Sequence, residues 1–324
     1  MSTITSSTEE SGEETITSRA VAVLLELLSD RATAASMTVI AALILIAIFA
    51  PVIAPYKPTA QFNAPPGQFT PLPPMSHGSE GRLFLLGTDP LGRDLLTRLI
   101  FGTRPMLLIV TGTVGLSALL GVPAGMAAAY YGGLIDEVIM RLMDVFISFP
   151  AIVAAIMLLG VLGTEGFSVF GVTFPHILTL IVAVGIIWAP RFARIMRGAV
   201  MTEVREDYVE TLRIAGASDR HIIFNQIGVN VTGPMIVQAT LSMAFAVLVS
   251  AALSFIGVGV QPPHASWGRM LALSRDYLIS GEWWITGLPG LAILVTSLAF
   301  NIVGDSINDV IDPNYQGDDQ QLER

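Results

Sequence analysis

The 324-residue chain contains no cysteine, and this absence excludes several kinds of chemistry. Without thiols there is no disulfide framework, no zinc–thiolate cluster and no cysteine nucleophile. Histidine is also scarce, and no histidine has a second ligand four residues away that would make a helical metal site. The four histidines are His77, His176, His221 and His264. We therefore expect no metal centre, no bound cofactor and no catalytic site, and the chain is not predicted to be an enzyme.

Charge is the second scarcity, because only 13% of the residues are charged while 52% are hydrophobic. Soluble domains carry about a quarter charged residues. Lysine is nearly absent, since Lys57 stands against sixteen arginines, which fits a salt-adapted organism and a GC-rich coding sequence equally well. Residues 1–30 and 305–324 each hold six acids and one arginine, so the two ends together carry −10 and the rest of the chain +1.

The apolar residues fall in long blocks, which predicts an all-α, polytopic membrane protein with about six transmembrane helices surrounded by membrane lipids. Roughly 20 apolar residues, at 1.5 Å of rise each, cross a hydrocarbon core of about 30 Å. We interpret each block as a single crossing. The predicted spans are Ala34–Ala54, Pro105–Ile135, Glu137–Leu162, Pro175–Ala189, Pro234–Val258 and Trp283–Gly304.

These spans divide the chain into five segments. The amino-terminal segment is acidic, rich in Ser and Thr, and lacks the basic stretch that opens a signal peptide, so we predict a retained, partly disordered cytoplasmic tail. An extracytoplasmic loop with an amphipathic stretch follows the first helix, and a second acidic cytoplasmic tail ends the chain. The predicted segments are 1–33 (tail), 34–55 (first helix), 56–104 (loop), 105–304 (five-helix core with a cytoplasmic loop at 198–230) and 305–324 (tail).

Arginine placement gives the orientation. Arg191, Arg194 and Arg197 recur on one helix face at the end of the fourth span, as expected beside the cytoplasmic side of a membrane. Both termini are then cytoplasmic. Three further arginines precede the second span on what becomes the outer side, and the sequence offers no explanation for them. They are Arg93, Arg98 and Arg104.

A polar, arginine-rich insert separates the fourth and fifth spans. Good helix formers from Glu203 to Ala215 predict a short helix, Gly216 fits a left-handed residue that ends it, and Ser218 fits a cap for the next helix. An ordinary amphipathic loop is the plain alternative. A helix-turn-helix that reads DNA is disfavoured, because spans lie close on both sides and residues 203–220 hold five acids that repel phosphates.

The insert, YVETLRIAGAS followed by DRHIIFNQIGVN (Tyr208–Asn230), resembles the EAA loop of ABC importer permeases. Four more motifs, in the same order, resemble the C-type permease subunit of dipeptide, oligopeptide and nickel importers, so the similarity extends from Ala34 to Pro313. They are LGTDPLGRDLLTRLIFGTRP (Leu86–Pro105), GGLIDEVIMRLMDVFISFPAIVAAI (Gly132–Ile156), ALSFIGVGVQPPHASWGRML (Ala252–Leu271) and PGLAILVTSLAFNIVGDSINDVIDP (Pro289–Pro313).

This resemblance implies a MetI-like permease core and import driven by ATP on separate subunits. The implied partners are a second homologous permease subunit, two ABC ATPase subunits and an extracellular substrate-binding protein, with no nucleic acid. The chain itself has no G-x-x-x-x-G-K-[ST] phosphate-binding motif. The implied coupling residues are Glu210, Arg213, Ile214, Ala215, Gly216, Ala217, Ser218 and Asp219. Among them, Glu210 and Asp219 are expected to pair with basic ATPase residues.

The family pattern is not complete in this chain. Its Glu-Ala-Ala triplet stands here as Glu210, Thr211 and Leu212, and its later Leu-Pro appears as Gly228 and Val229. The match is therefore firmer at Glu210 and Gly216 than at the positions between them. We expect three isoleucines to fill apolar sockets on the ATPase. They are Ile214, Ile222 and Ile223.

Other polar residues near the spans allow two interpretations each. Asp144 suggests a proton relay, but an ion-pair ladder with Arg141 and Glu137 is the favoured explanation. Three serines, Ser242, Ser250 and Ser254, are candidates for lining the pathway, while helix–helix hydrogen bonding is the commoner role. An external loop suits docking of the binding protein, although a Trp there is more often an interfacial anchor. This loop contains Pro262, Pro263, Trp267 and Gly268.

Two other classes of protein fit the sequence less well than a permease. An ion-driven secondary transporter is expected to bury ionisable residues near the midplane and to show an inverted repeat, and neither is visible. An intramembrane enzyme needs a nucleophile and a base, or a metal cluster, within the spans, and the residues for it are missing.

Di- or oligopeptides are the substrate class that the resemblance favours, with nickel chelates and sugars left open.

Overall fold

The computed structural model describes residues 25–62, 71–78, 81–163, 166–169, 172–277 and 281–311, and this part of the chain is mainly helical. Within this described part, five helices are long and apolar enough to cross a membrane. Two shorter helices, bent by 94° at their junction, form a sixth crossing if they are one broken span. The long helices are α1 (Arg31–Ile53), α2 (Leu95–Tyr131), α5 (His176–Glu203), α9 (Thr232–Ile256) and α11 (Trp283–Ile311), and the bent pair is α3 (Gly133–Ile147) and α4 (Ala151–Leu162). The predicted all-α membrane fold is confirmed.

Short elements connect these helices. Between α5 and α9 lie α6 (Asp207–Ile214), α7 (Asp219–His221), a π-helical turn (Ile222–Ile227) and α8 (Gly228–Asn230). Between α9 and α11 lie α10 (Trp267–Ser274) and a 3-10 turn (Arg275–Tyr277). Two antiparallel hairpins complete the described structure: β1 (Ser76–His77) pairs with β2 (Leu83–Phe84), and β3 (Gly166–Val169) pairs with β4 (Val172–Pro175).

The centre of the fold is the close packing of α2 against α5. A Cβ atom added to Gly121 would lie 2.2 Å from the carbonyl oxygen of Ala189, and one added to Gly125 would lie 2.2 Å from that of Ala193. Only glycine therefore fits at these two positions, and the backbones of the two helices touch directly. This contact positions the end of α5, from which the polar insert continues.

The polar insert lies at one end of the bundle, where the start of α1, the start of α9 and the end of α11 also meet. The start of α1 meets the end of α11 through a 2.6 Å hydrogen bond between the Thr33 and Ser306 hydroxyls. The start of α9 also meets the end of α11, because a Cβ atom on Gly233 would lie 2.8 Å from Ile311 Cγ2. We call residues 204–230 the elbow and this end of the molecule the elbow end.

The structure corrects the bounds of the second span, which was predicted as Pro105–Ile135. The helix begins ten residues earlier, where the Asp94 carboxylate accepts a 2.8 Å hydrogen bond from the Thr97 N–H and caps the first turn. It ends at Tyr131, because Gly132 takes a φ of 62° that breaks the helix. The predicted loop 56–104 therefore includes the first turns of α2.

The third span, predicted as one helix over Glu137–Leu162, is wrong as a straight crossing. The chain bends between Ile147 and Ala151, and Pro150 stands immediately before α4. Proline cannot donate a backbone hydrogen bond and disfavours helical geometry in the residue before it, which explains the break.

The other predicted spans differ from the structure mainly at their ends. The fourth span, predicted to end at Ala189, continues to Glu203, so the arginine series Arg191, Arg194 and Arg197 lies inside α5 rather than after it. The fifth span is shifted by two residues, to Thr232–Ile256. The sixth continues past Gly304 to Ile311, and Ser306 in this extension contacts Thr33 of α1. The acidic tail predicted to begin at 305 therefore starts within α11.

The arginines before the second span, which the sequence left unexplained, have local partners. The Asp89 carboxylate accepts hydrogen bonds from the Arg93 side chain at 2.7 Å and from its N–H at 3.0 Å, and it lies 3.4 Å from Arg98 Nε. Arg98 is almost fully buried and also donates to the Pro58 carbonyl at 3.0 Å. These contacts fold the connection between α1 and α2 onto the end of the bundle opposite the elbow.

Arg104 has a different role, at the end of α1. Its Nε donates to the Ala47 carbonyl at 2.6 Å, and a second nitrogen donates to the Ile48 carbonyl at 3.1 Å. Pro51 lies inside α1 and has no N–H, so the Ala47 carbonyl has no helical partner. The arginine side chain supplies the missing donor and ties α1 to α2.

Candidate functional site

The elbow contains the turn that the sequence predicted at its glycine. Gly216 has a φ of 78°, its N–H donates to the Arg213 carbonyl at 3.0 Å, and the Ala217 N–H donates to the Leu212 carbonyl at 3.0 Å. This pair of bonds closes a helix through a left-handed residue. No atom lies within 4 Å of the position a Cβ would take on Gly216, so the backbone conformation, not crowding, calls for glycine.

The elbow helices differ from the prediction in two details. The predicted helix from Glu203 to Ala215 is interrupted, because Glu203 is the last residue of α5 and α6 begins at Asp207 after a short turn. Ser218 stands before α7 with an extended backbone, but its side chain makes no capping hydrogen bond. The residue is exposed, so water is the partner available to its hydroxyl.

The underside of the elbow is an apolar cluster with α2 and α5. Ile222 is fully buried and Ile223 is 5% exposed, and the prediction that these two isoleucines fill sockets on the ATPase is therefore wrong. Their side chains are used to seat the elbow on its own chain. The cluster consists of Met126, Tyr130, Met196, Val200, Val209, Ile222, Ile223, Ile227 and Val231.

Tyr130, near the end of α2, is the polar contact between that helix and the elbow. Its hydroxyl donates a 2.7 Å hydrogen bond to Asp219 Oδ1, and the Arg213 guanidinium lies 4.8 Å from the centre of its ring. One aromatic side chain thus holds residues on both sides of the Gly216 turn. Asp219, predicted to pair with a basic ATPase residue, already has a partner within the chain.

A second polar contact joins the two ends of the elbow. The Tyr208 hydroxyl donates to Glu203 Oε2 at 2.6 Å, and Asn230 Nδ2 donates to the same oxygen and to the Tyr208 oxygen at 3.1 Å each. Burial and then the bond to Glu203 raise the pKa of Tyr208 to about 12, so its hydroxyl remains a donor at neutral pH. Sequence analysis did not identify this triad, because its members are up to 27 residues apart.

The outer surface of the elbow presents the remaining coupling candidates. Ile214 is 82% exposed, and Phe224, which sequence analysis did not select, is 54% exposed. Around them lie small residues and charges of both signs, and Ala217 alone among the eight candidates of residues 210–219 is half-buried. The exposed candidates are Glu210, Arg213, Ile214, Ala215, Gly216, Ser218 and Asp219. This mixture suits contact with another protein more than contact with lipid.

The three candidate pathway serines lie within the helix bundle. Ser242 and Ser254 are 1% and 2% exposed, which argues against a pathway role for them. The Ser242 hydroxyl accepts from Gln238 Nε2 at 2.9 Å, and that of Ser254 accepts from the Val260 N–H at 3.3 Å. The half-buried Ser250 donates to the Val247 carbonyl at 3.0 Å. These bonds stay within α9 and the turn after it.

Trp267 belongs to the interior, so both roles considered for it are wrong. It is 4% exposed, begins α10, and donates from Nε1 to the Leu99 carbonyl at 3.0 Å. Gly102 leaves room for its ring, since a Cβ there would lie 2.7 Å from it. Gly268 is likewise buried against Ala251, whereas Pro262 and Pro263 remain exposed.

The ion-pair ladder around Asp144 is confirmed in one step and corrected in the other. Arg141 pairs with Glu137 at 3.0 Å, as predicted. Asp144, however, pairs across helices with Arg194 at 2.7 Å, because α3 packs beside α5. A second pair between these helices, not predicted, joins Asp136 to Arg197 through two hydrogen bonds of 2.5 Å.

Comparison with known proteins identifies related chains. The profile of the family described as binding-protein-dependent transport system inner membrane component matches residues 121–317, and the N-terminal TM domain of oligopeptide transport permease C matches residues 20–74. A di/tripeptide transport system permease protein of Pseudomonas aeruginosa is 42% identical over 271 residues, which cover 83% of this chain and 84% of that protein.

Two further relatives have similar coverage. A putative peptide transport system permease protein of Brucella suis is 40% identical over 85% of this chain and 86% of its own length. A dipeptide transport system permease protein of Escherichia coli K12 is 38% identical over 84% of this chain and 85% of its own length. In each comparison the match thus extends over most of this chain and most of the related protein.

Proposed function

We propose that the chain forms part of an ATP-driven ABC importer for di- or oligopeptides. The chain is a multi-pass membrane permease that belongs to the family of binding-protein-dependent transport system inner membrane components. In this proposal, the elbow receives the motion of an ATPase subunit and passes it to the membrane helices. The membership argues against an ion-driven secondary transporter.

The observation that carries the coupling role is the construction of the elbow. Its underside is fixed by buried isoleucines and by Tyr130, while Ile214 and Phe224 project outward. A segment that is bound firmly on one face and offers an apolar and charged surface on the other transmits displacement instead of absorbing it. Glu203 strengthens the link, since it is both the last residue of α5 and a member of the triad that joins the ends of the elbow.

The proposed partners follow from the family. They are a second homologous permease subunit, two ABC ATPase subunits and an extracellular substrate-binding protein. With the ATPases in the cytoplasm, the elbow end is cytoplasmic, and so are the start of α1 and the end of α11, which meet there through Thr33 and Ser306. The peptide substrate is supported by the names of the relatives, which transport dipeptides, di- or tripeptides, or peptides.

Co-purification and uptake test the proposal together. The chain is expressed with its partner subunits, and peptide uptake and ATPase recovery are measured for Glu210→Arg, which reverses an exposed charge on α6. We expect normal membrane insertion but loss of uptake and weaker recovery of the ATPases. Glu26→Arg is the matched control, because Glu26 is also exposed but lies outside the elbow. Unchanged uptake and recovery in Glu210→Arg would contradict the coupling role.

A further inference from the structure

Part of the arginine series of α5 lies inside the hydrocarbon core of the membrane. Arg191, Arg194 and Arg197 precede the end of the helix at Glu203 by twelve, nine and six residues, or about 18, 14 and 9 Å at 1.5 Å per residue. The 28-residue helix is about 42 Å long, against a hydrocarbon core of about 30 Å. Even if the whole excess lies at the elbow end, Arg191 is about 6 Å inside the core and Arg194 about 2 Å inside, whereas Arg197 lies outside it.

These side chains are also open to the outside of the subunit. Arg194 and Asp144 are 49% and 59% exposed in their ion pair. Arg191 is exposed as well, and its guanidinium stacks 4.4 Å from the Trp188 ring centre and 6.0 Å from that of Phe245. Charges at membrane depth are costly in lipid and normally face protein or a water-filled cavity. This side of α5 therefore does not face lipid.

Helix α3 supplies the opposite wall of the same surface. None of its residues is buried within the subunit, and its charged side lines an open groove shared with Arg194 and Arg197. Helix α3 is also the first half of the broken span, which bends by 94° between α3 and α4. Irregular backbone at membrane depth is tolerated where it lines a water-filled cavity or is covered by protein. The exposed charges and the bend thus both argue against lipid on this side of the subunit.

We propose that a polar face formed by α3 and α5 lines the elbow-side half of the translocation pathway. The polar face consists of Asp136, Arg141, Asp144, Arg191, Arg194 and Arg197. This inference rests on the proposed import function and gives it a location within the subunit. The face carries both signs of charge, which suits a hydrated zwitterionic substrate such as a peptide, because each terminus of the peptide finds a partner without being trapped by one strong site.

The absence of cysteine makes a direct test available. Single cysteines are introduced at two positions of the proposed pathway, Met140→Cys and Arg191→Cys. Met140 lines the groove beside the ion pairs but carries no charge, so its replacement leaves both pairs intact. The control variants are Leu142→Cys on α3 and Leu119→Cys on α2, whose native side chains are 55% and 70% exposed on the subunit. Positions 140 and 142 point to opposite sides of one helix.

Each variant is assembled with its ATPases, second permease and binding protein in liposomes and treated with a charged, membrane-impermeant methanethiosulfonate reagent. We expect the cysteines at 140 and 191 to react at least about tenfold faster than those at 142 and 119. Reaction at 140 or 191 is also expected to abolish uptake. Equal rates at all four positions, or full uptake after modification at 140 and 191, would overturn the inference.

The same samples separate this inference from the proposed function. Reaction rates are measured without substrate, so they report water at the polar face whichever compound is carried. If the untreated wild-type complex fails to take up peptides on addition of ATP, the proposed function is wrong. If it takes them up but the reaction rates do not follow the predicted pattern, the function stands and the location of the pathway is wrong.

Discussion

Replacement of Gly216 tests whether the elbow depends on its left-handed turn. The residue has a φ of 78°, and a Cβ there would meet nothing within 4 Å, so an added side chain affects the conformation without a clash inside the subunit. A left-handed conformation costs an ordinary residue about 1–2 kcal/mol, and Asn tolerates it better than Ala. Such a cost corresponds to about a 5–30-fold change in the population of the native turn.

Gly216→Ala is therefore expected to weaken binding of the ATPase subunits by about 5–30-fold, and Gly216→Asn by clearly less. Gly216→Pro should abolish binding, because proline requires a φ near −65° and removes the N–H that donates to Arg213. The measurement is a titration of the purified membrane subunits with ATPase, followed by peptide uptake. Equal losses for Ala and Asn would refute the conformational explanation and indicate that any side chain there obstructs the partner.

Two further predictions concern contacts between helices. Arg104→Met, which has no donor, should lower the thermal stability of the purified protein by about 0.5–1.5 kcal/mol, since it removes the hydrogen bond to the Ala47 carbonyl. An unchanged melting temperature would contradict this. Asp136→Arg should reduce uptake, and the double variant with Arg197→Asp should restore much of it. The coupling energy between the two substitutions is expected near the upper end of about 0.2–1 kcal/mol, because the side chains of Asp136 and Arg197 are only 21% and 33% exposed. No recovery in the double variant would argue against the pair.

The sequence predicted the number and approximate position of the crossings well, because uncharged runs of sufficient length need no tertiary information. The helix ends were less predictable. The stretch from Leu95 to Arg104 contains polar residues and was therefore left out of the predicted apolar span, yet it belongs to α2. Arg98 is buried there because Asp89, nine residues before it, and Pro58, forty residues before it, supply its partners. Such contacts cannot be read from local composition.

The elbow shows the same division between local and tertiary information. Gly216 was predictable because a left-handed residue after a run of helix formers is a local requirement. The roles of the isoleucines were not, since Ile214 projects outward while Ile222 and Ile223 are buried, and all three are equally apolar. Their burial is decided by the position of α2 and α5 beneath the elbow. The Glu203 triad was missed for the same reason.

The contacts that sequence analysis missed are those that connect the elbow to the proposed pathway. A force on Ile214 reaches Glu203 through the triad, and Glu203 is the last residue of α5. Six residues further back along α5, Arg197 holds Asp136 of α3 with two hydrogen bonds. Since a helix is stiff over this distance, a displacement of the elbow must move α5 and α3 together or break the ion pairs between them. Either outcome changes the shape of the polar face, so the elbow and the pathway need no separate hinge to be coupled.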